Sequence, residues 1–421
     1  MALASSNEEI QLGSLCKRVT VGHVGPMADQ YQPDGIPFLR SQDIQPFGIN
    51  TKGIKFIDEN FNSKLRKSIL ATDDVVIVRT GYPGTAAVVP RELHGANCAD
   101  LVILTPGPSL DPWFVVSLLN SAWGRSTVAG NLVGVAQQHF NVGAAKSLRF
   151  RMPPLPIQRR IGRIVKAYSD LIAVNDCRIA ILEEMARRLF DEWVIKLRVP
   201  ASGTASLGRT ASDDVPEGWR EVCLHELVED IRDSILPSQV SPDTPYVGLE
   251  HMPRCSTTLL SVGRADEVGS TKLKFRSGDI LFGKIRPYFH KVVFATFSGV
   301  TSSDSIVMRV RSPKYAALAL CLVSSDAFVA HAVQTSNGTK MPRANWNVLQ
   351  HYAVSVPPEA LLARFTDLIG SGVELCSTLA RANTNLRSAR NLLLPKLIAG
   401  DINFSGVERD AARASYHAAA E

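Results

Sequence analysis

The chain has 421 residues, 45% hydrophobic and 20% charged, enough apolar material for two to three cores at roughly 150 residues each and too much for a wholly disordered chain. No apolar run approaches the ~20 residues that a bilayer crossing needs, and the opening MALASSNEEI lacks the basic-then-apolar order of a secretory signal. The seven cysteines lie far apart with no CxxC pair, which argues against a disulfide framework and a zinc site and for a reducing compartment, while a net charge of +6 permits a polyanionic partner without requiring one.

Residues 1–152 read as a globular part built from short β-type runs, such as 74–78 and 101–104, separated by Gly, Pro and Asn turns, with a helical patch near 113–120. A Pro-Pro signal then leads into a long helix over 153–198, with Pro156 where a first-turn proline is tolerated. In that helix Ile161, Val165, Tyr168, Ile172, Asn175, Ile179, Leu182, Ala186, Leu189 and Trp193 recur with 4-3 spacing. This is a coiled-coil seam with one asparagine inside it, the kind of polar position that fixes register at some cost in stability. Residues 199–214 are small, polar and glycine-bearing and read as a flexible linker. A second globular part, 215–355, follows with the run 279–282 and a helical patch near 315–323. The last element is a second long helix over 356–402, with Leu362, Phe365, Ile369, Cys376, Leu379, Asn383, Leu386, Leu393 and Leu397 on a less regular seam. Gly372 and Arg390 interrupt that seam, and Pro395 is expected to bend or end the helix. The tail, 403–421, is Ala-rich.

The two halves repeat one another. Ile36-Pro-Phe-Leu39 answers Thr244-Pro-Tyr-Val247, and Thr72-Asp-Asp-Val-Val-Ile77 answers Ser277-Gly-Asp-Ile-Leu-Phe282, with Asp73 standing where the second copy has Gly278. Ala99–Ile103 answers Ser303–Val307, Phe140-Asn-Val142 answers Trp346-Asn-Val348, and Met152-Pro-Pro154 answers Val356-Pro-Pro358. Ala186–Phe190 answers Ala389–Leu393. The offsets run between 203 (Ala186 to Ala389) and 208 (Ile36 to Thr244) and never break order, which chance matches would not do. The expected fold is therefore α+β and pseudo-twofold symmetric. Two similar heads are separated by a pair of long helices that pair as an antiparallel coiled coil. About 40 residues at ~1.5 Å each make a rod of roughly 60 Å, a ruler between two heads.

Catalytic signatures are absent. The stretch 278–284 begins like a phosphate-binding loop, but Ile285 replaces the magnesium-binding hydroxyl and the run 279–282 is strand-like. Asp111-Pro-Trp-Phe114 lacks the second proline of an amino-methyltransferase motif and reads as a helix start. His94, His139, His225 and His251 have no ligand-spaced partners in sequence, so no metal site is expected.

The chain resembles the specificity subunit of type I DNA restriction–modification systems over about residues 12–402. The resemblance rests on Pro153-Pro-Leu-Pro-Ile-Gln-Arg-Arg-Ile161, on Met185-Ala-Arg-Arg-Leu-Phe-Asp-Glu-Trp193, on Ala389-Arg-Asn-Leu-Leu-Leu-Pro-Lys-Leu397, and on Val215-Pro-Glu-Gly-Trp219. It implies that 1–152 and 215–355 are target recognition domains, each reading half of a split site in double-stranded DNA, and that the helices are spacers. It further implies docking of two methyltransferase subunits, then motor/nuclease subunits, in a bacterial or archaeal cytoplasm. S-adenosylmethionine, ATP and magnesium would belong to those partners; this chain would be non-catalytic and hold no cofactor, metal or membrane anchor.

A DNA-reading head needs cations and amides for phosphates, and Arg, Asn, Gln, Lys or Ser for base edges. In the first copy the candidates are Arg79 and Tyr82, then Gln137, Gln138, His139 and Asn141, with Arg40 as an outlier after the first strand. In the second they are Lys284, Arg286, Tyr288, His290 and Lys291, then Lys340, Arg343 and Asn345. Matching positions with different polar residues fit two heads of different preference, hence an asymmetric site. Two other readings stay open: an enzyme fused to its specificity domains, and a coiled-coil scaffold that has lost DNA recognition.

Overall fold

The computed structural model describes residues 9–132, 139–199, 217–338, 340–399 and 401. They form two compact units, one of residues up to Ile172 together with those from Leu386 onward, the other Ala173–Asn385. The division falls inside both long helices, so each unit has its own length of each. Among the described residues no single helix is long and apolar enough to cross a membrane.

In the first unit a four-stranded antiparallel sheet runs in the order Cys16–Val21, Leu101–Pro106, Val75–Val78, Ala86–Val88. The run Val75–Val78 is apolar at every position because both of its faces are covered. Val75 and Ile77 join Val102, Leu104, Phe114 and Leu118 in one core, while Val76 and Val78 join Leu39, Leu93, Cys98 and Ile103 in another. The second layer holds a three-stranded sheet in which Ile36–Leu39 lies parallel to Asn97–Cys98. Strand Glu9–Gln11 pairs antiparallel with Arg149–Arg151 and brings the two ends of the globular part together.

The second unit repeats this plan. Its four-stranded sheet runs Val228–Asp230, Ser305–Val310, Ile280–Gly283, Val292–Phe294. Ile280 and Phe282 face Leu318 and Phe328, and Leu281 faces Val247 and Phe275. Pro245–Val247 is again parallel to a partner, here Gly299–Ser302, and Arg220–Cys223 pairs with Ala353–Val356 as the closing strand pair.

Each central strand is entered through a buried aspartate. Asp74 accepts the backbone N–H of Ala71 at 2.9 Å, the Arg18 guanidinium at 2.8 Å and the Thr105 hydroxyl at 2.6 Å. Asp279 accepts the N–H of Arg276 at 2.7 Å and a two-pronged contact from Arg309, both prongs 2.8 Å. The preceding residue is left-handed in both, Asp73 at φ 69° and Gly278 at φ 92°. The Asp/Gly mismatch between the copies is thus one turn met by the two kinds of residue that tolerate that backbone.

The long helices are Leu155–Phe190, followed by a π-helical turn Asp191–Ile195, and Glu359–Ala399. Gln158 explains the glutamine of the helix entry. Buried, it accepts the N–H of Asp111 and donates to the carbonyls of Ser109 and Pro153, tying the first turn to the neighbouring loop. Pro395 does not end the second helix. The helix runs on to Ala399, held down by buried Leu394 and Leu397 in the core that also takes Ile161 and Val165. Nor is Arg390 a break. It is buried, with its guanidinium 3.9 Å from the Phe47 ring centroid and Nη1 3.3 Å from the Ser169 hydroxyl. Burial, and then the neighbouring Arg387, push its pKa down to about 10.

In the second unit the helices meet with numbering that rises on one and falls on the other. Asn175 donates to Asn383 at 2.8 Å, Ile179 packs with Cys376 and Ala380, and the Trp193 ring lies 6.1 Å from that of Phe365. Leu182, Leu189 and Leu379 are half-buried there; in the first unit Tyr168 and Leu386 are half-buried and Ile172 is buried. Asn383 also donates to Asp176 at 2.8 Å. Replacing Asn175 alone with Leu leaves a buried amide facing carbon, so a loss of about 1–3 kcal/mol is expected. The Asn175→Leu/Asn383→Leu pair should recover only part of it, because Asn383→Leu also takes the donor from Asp176, and a double-mutant cycle of melting curves that shows no coupling would count against this contact.

Candidate nucleic-acid interface

A cation follows the end of each central strand. In the first unit this is Arg79, whose carbonyl accepts the N–H of Phe140. In the second it is Lys284, whose carbonyl accepts the N–H of Ala344. These backbone bonds fix the correspondence between the copies and correct one pairing: Asn141 answers Asn345, not Asn347. Both asparagines do the same work, each side-chain oxygen capping a short helix. Asn141 accepts from Ala144 at 2.8 Å and Asn345 from Asn347 at 3.0 Å.

At this shared position the two units differ in charge geometry. Arg79 is mostly buried and closed onto Asp100 at 2.7 Å, with Thr80 on the other carboxylate oxygen at 2.9 Å. Asp100 is held left-handed, at φ 53°. Among the described residues Lys284 has no such clasp. It lines a cavity of about 490 Å³ with Arg232, Arg343, Asp230, Asp304 and Asn337. Burial pulls its ammonium below the ordinary lysine range, against the pull of Asp304 and Asp230. Arg343, more than half exposed, stands 3.7 Å from Asp304, too far for a tight pair. Arg232 holds Asp230 at 2.6 Å, while Lys284 and Arg343, the other two cations of this open groove, can turn to a polyanion or to base edges.

The remaining candidates divide by their contacts. Tyr82 is 85% exposed beyond the left-handed Gly81, and Tyr288 is 51% exposed, its ring edge-on to Phe289 at 4.8 Å. Lys340 is exposed. Arg286 sits in a left-handed turn at φ 50°, its N–H on the Pro342 carbonyl and its guanidinium 6.0 Å from the Phe289 ring. Others are committed to the fold. Arg40 grips Asp43 with two nitrogens at 2.9 and 3.0 Å and the Gly53 carbonyl at 3.1 Å. The hydrogen bond to Asp43 raises its pKa. Lys291 donates to the carbonyl of Leu249, and burial lowers its pKa. His290 bonds the Ser324 carbonyl at 2.8 Å. His139 is half-buried, and Gln137 and Gln138 lie outside the described residues. Reading the sequence missed Arg232, Asn337 and Arg254, whose guanidinium lies 4.0 Å from the Phe289 ring. Arg254 is 35 positions from that ring, and nothing local signals the contact.

No protein-family profile matches the chain. It is 20% identical over 275 residues to the type I restriction enzyme MjaIX specificity subunit of Methanocaldococcus jannaschii, covering 61% of each. It is 32% identical over 93 residues to the EcoDI specificity subunit of Escherichia coli, 22% of this chain and 20% of that one. In fold it matches the S subunit of the type I restriction–modification system from M. genitalium, at TM-score 0.56 and 14% identity, over 94% of this chain and 97% of that one. Its relatives are type I restriction enzyme specificity subunits. The matched stretch spans about three-fifths of the length of the M. jannaschii relative.

The division between committed and open cations has a direct check. Arg40→Ala strips a buried carboxylate of its partner and should cost about 1–3 kcal/mol, whereas Lys284→Ala and Arg343→Ala should stay within about 0.5 kcal/mol of the parent. Urea midpoints of the three variants decide it, and equal losses in all three would refute the division.

Proposed function

We propose that the chain is the DNA-recognition subunit of a type I restriction–modification assembly, itself non-catalytic, in which each globular part reads one half of a split, asymmetric site in double-stranded DNA. The observation that carries this is the duplicated strand end: the same backbone position presents a clasped arginine in one copy and an open lysine–arginine groove in the other. One scaffold with two differently charged tips suits two different half-sequences. A catalytic duplicate would be expected to keep its polar groups alike.

On this reading Lys284, Arg286, Tyr288 and Arg343 face DNA in one half-site, and Tyr82 with the segment around His139 in the other. The long helices act as an antiparallel coiled-coil spacer and carry methyltransferase subunits, to which motor/nuclease subunits are added. S-adenosylmethionine, ATP and magnesium belong to those partners.

Lys284→Ala, Arg286→Ala and Arg343→Ala, tested in the assembled methyltransferase, separate two modes of contact. Loss of a phosphate contact weakens binding to all sequences and lowers the salt slope by about one unit per contact. Loss of a bidentate base contact relaxes one position of one half-site by about 1–3 kcal/mol. A triple variant with unchanged affinity and slope would remove the groove from the interface.

Four residues inserted beside Asn175 add about 6 Å of helix, one to two base pairs at ~3.4 Å each. The expected product methylates both original half-sequences across a longer unread spacer, mapped by sequencing methylated bases. Methylation confined to the original spacing would overturn the role of the helices.

A further inference from the structure

Sequence spacing gave no reason to join Cys223, His225 and His351, yet the fold does. Cys223 ends the strand Arg220–Cys223 and is the register partner of Ala353 at the start of the closing strand. The chain around His225 is held to the same edge, with Leu224 N–H on the Tyr352 carbonyl at 2.9 Å and His225 N–H on the Gln350 carbonyl at 3.0 Å. The ligand atoms of the three side chains lie within 4.8 Å of one another. The two imidazoles stand edge to face, 5.8 Å between centroids.

We propose that Cys223, His225 and His351 form a site for a borderline-soft divalent cation, zinc foremost, clipping the first strand of the second globular part to its last. One thiolate and two imidazoles are a donor set that zinc prefers and that magnesium or calcium does not. Tetrahedral zinc, at about 2.3 Å from sulfur and 2.0–2.1 Å from nitrogen, sets its ligands roughly 3.3–3.7 Å apart. Closing from the observed spread needs about an ångström of side-chain movement, and exposed His351 can make it by giving up the long contact, 3.4 Å, between its Nε2 and the Gln350 side-chain nitrogen. His225 Nδ1 lies 3.1 Å from the Gln350 carbonyl. That contact puts the ring proton on Nδ1 and leaves Nε2 to the metal, the outer hydrogen bond that metal-bound histidines commonly make. Solvent fills the fourth position.

The first copy supplies a control. There Leu12 N–H bonds the Leu148 carbonyl as Leu224 does that of Tyr352, so Gln11, Gly13 and Ser147 stand where Cys223, His225 and His351 do. None of the three is a zinc ligand. The closing strand pair therefore forms without a metal, and the triad is an addition to the second copy. The proposal does not rest on the DNA reading and holds or fails without it.

The test uses the untagged full chain, reduced without thiols, stripped with chelator and titrated with cobalt(II). The expected result is one equivalent per chain, a thiolate-to-cobalt charge-transfer band, tetrahedral visible bands, displacement by zinc, and release of protons on binding. Cys223→Ser should abolish the charge-transfer band, and His351→Ala, at an exposed position, should weaken binding at least tenfold while leaving the circular dichroism spectrum unchanged. Cys255→Ser, an exposed thiol elsewhere, should change nothing. Absence of the band in the parent chain, or its survival at full strength in Cys223→Ser, overturns the site.

Discussion

A strand buried on both faces has nowhere to place a polar side chain except at its ends, and both globular parts are organised by that constraint. The chain enters Val75–Val78 through Asp74 and Ile280–Gly283 through Asp279. Each carboxylate is almost fully buried and saturated by a backbone amide and an arginine. With the entry fixed, the exit is fixed too, and the residue there, Arg79 or Lys284, must emerge at the rim of the sheet. The charged tip of each part is thus a consequence of how its most apolar strand is anchored.

The duplication was legible because it is written in features with short-range physical meaning: the left-handed turn, the apolar run, the Pro-Pro helix entry. The seam of the first long helix was legible for the same reason, since 4-3 spacing by itself dictates one buried face. What could not be read is set by contacts far apart in sequence. Asn141 and Asn345, singled out as candidate base readers, each spend the side-chain oxygen on a helix cap. Lys291, a candidate phosphate contact, gives one of its three donors to the Leu249 carbonyl. Arg390 looks like a break in the seam, yet the Phe47 ring, more than 300 positions away, covers it.

The register of the repeat shows a subtler limit. Matching Asn141 to Asn347 satisfies the eye, because an aromatic residue precedes and a valine follows both. The hydrogen-bond pattern sets the correspondence two residues earlier, at Asn345. Sequence likeness followed the identity of the side chains, whereas the fold conserves the place of the cap. Site residues transferred along a weak internal repeat therefore carry an uncertainty of a turn of chain even when the larger elements align.

The closing strand pairs carry a last implication. Glu9–Gln11 against Arg149–Arg151, and Arg220–Cys223 against Ala353–Val356, place the two termini of each globular part side by side. A body whose ends are neighbours can be excised and replaced as one contiguous cassette without threading or cutting its interior. On the proposed reading, a gene segment bounded at those strands would be exchangeable as one module, its binding preference travelling with it.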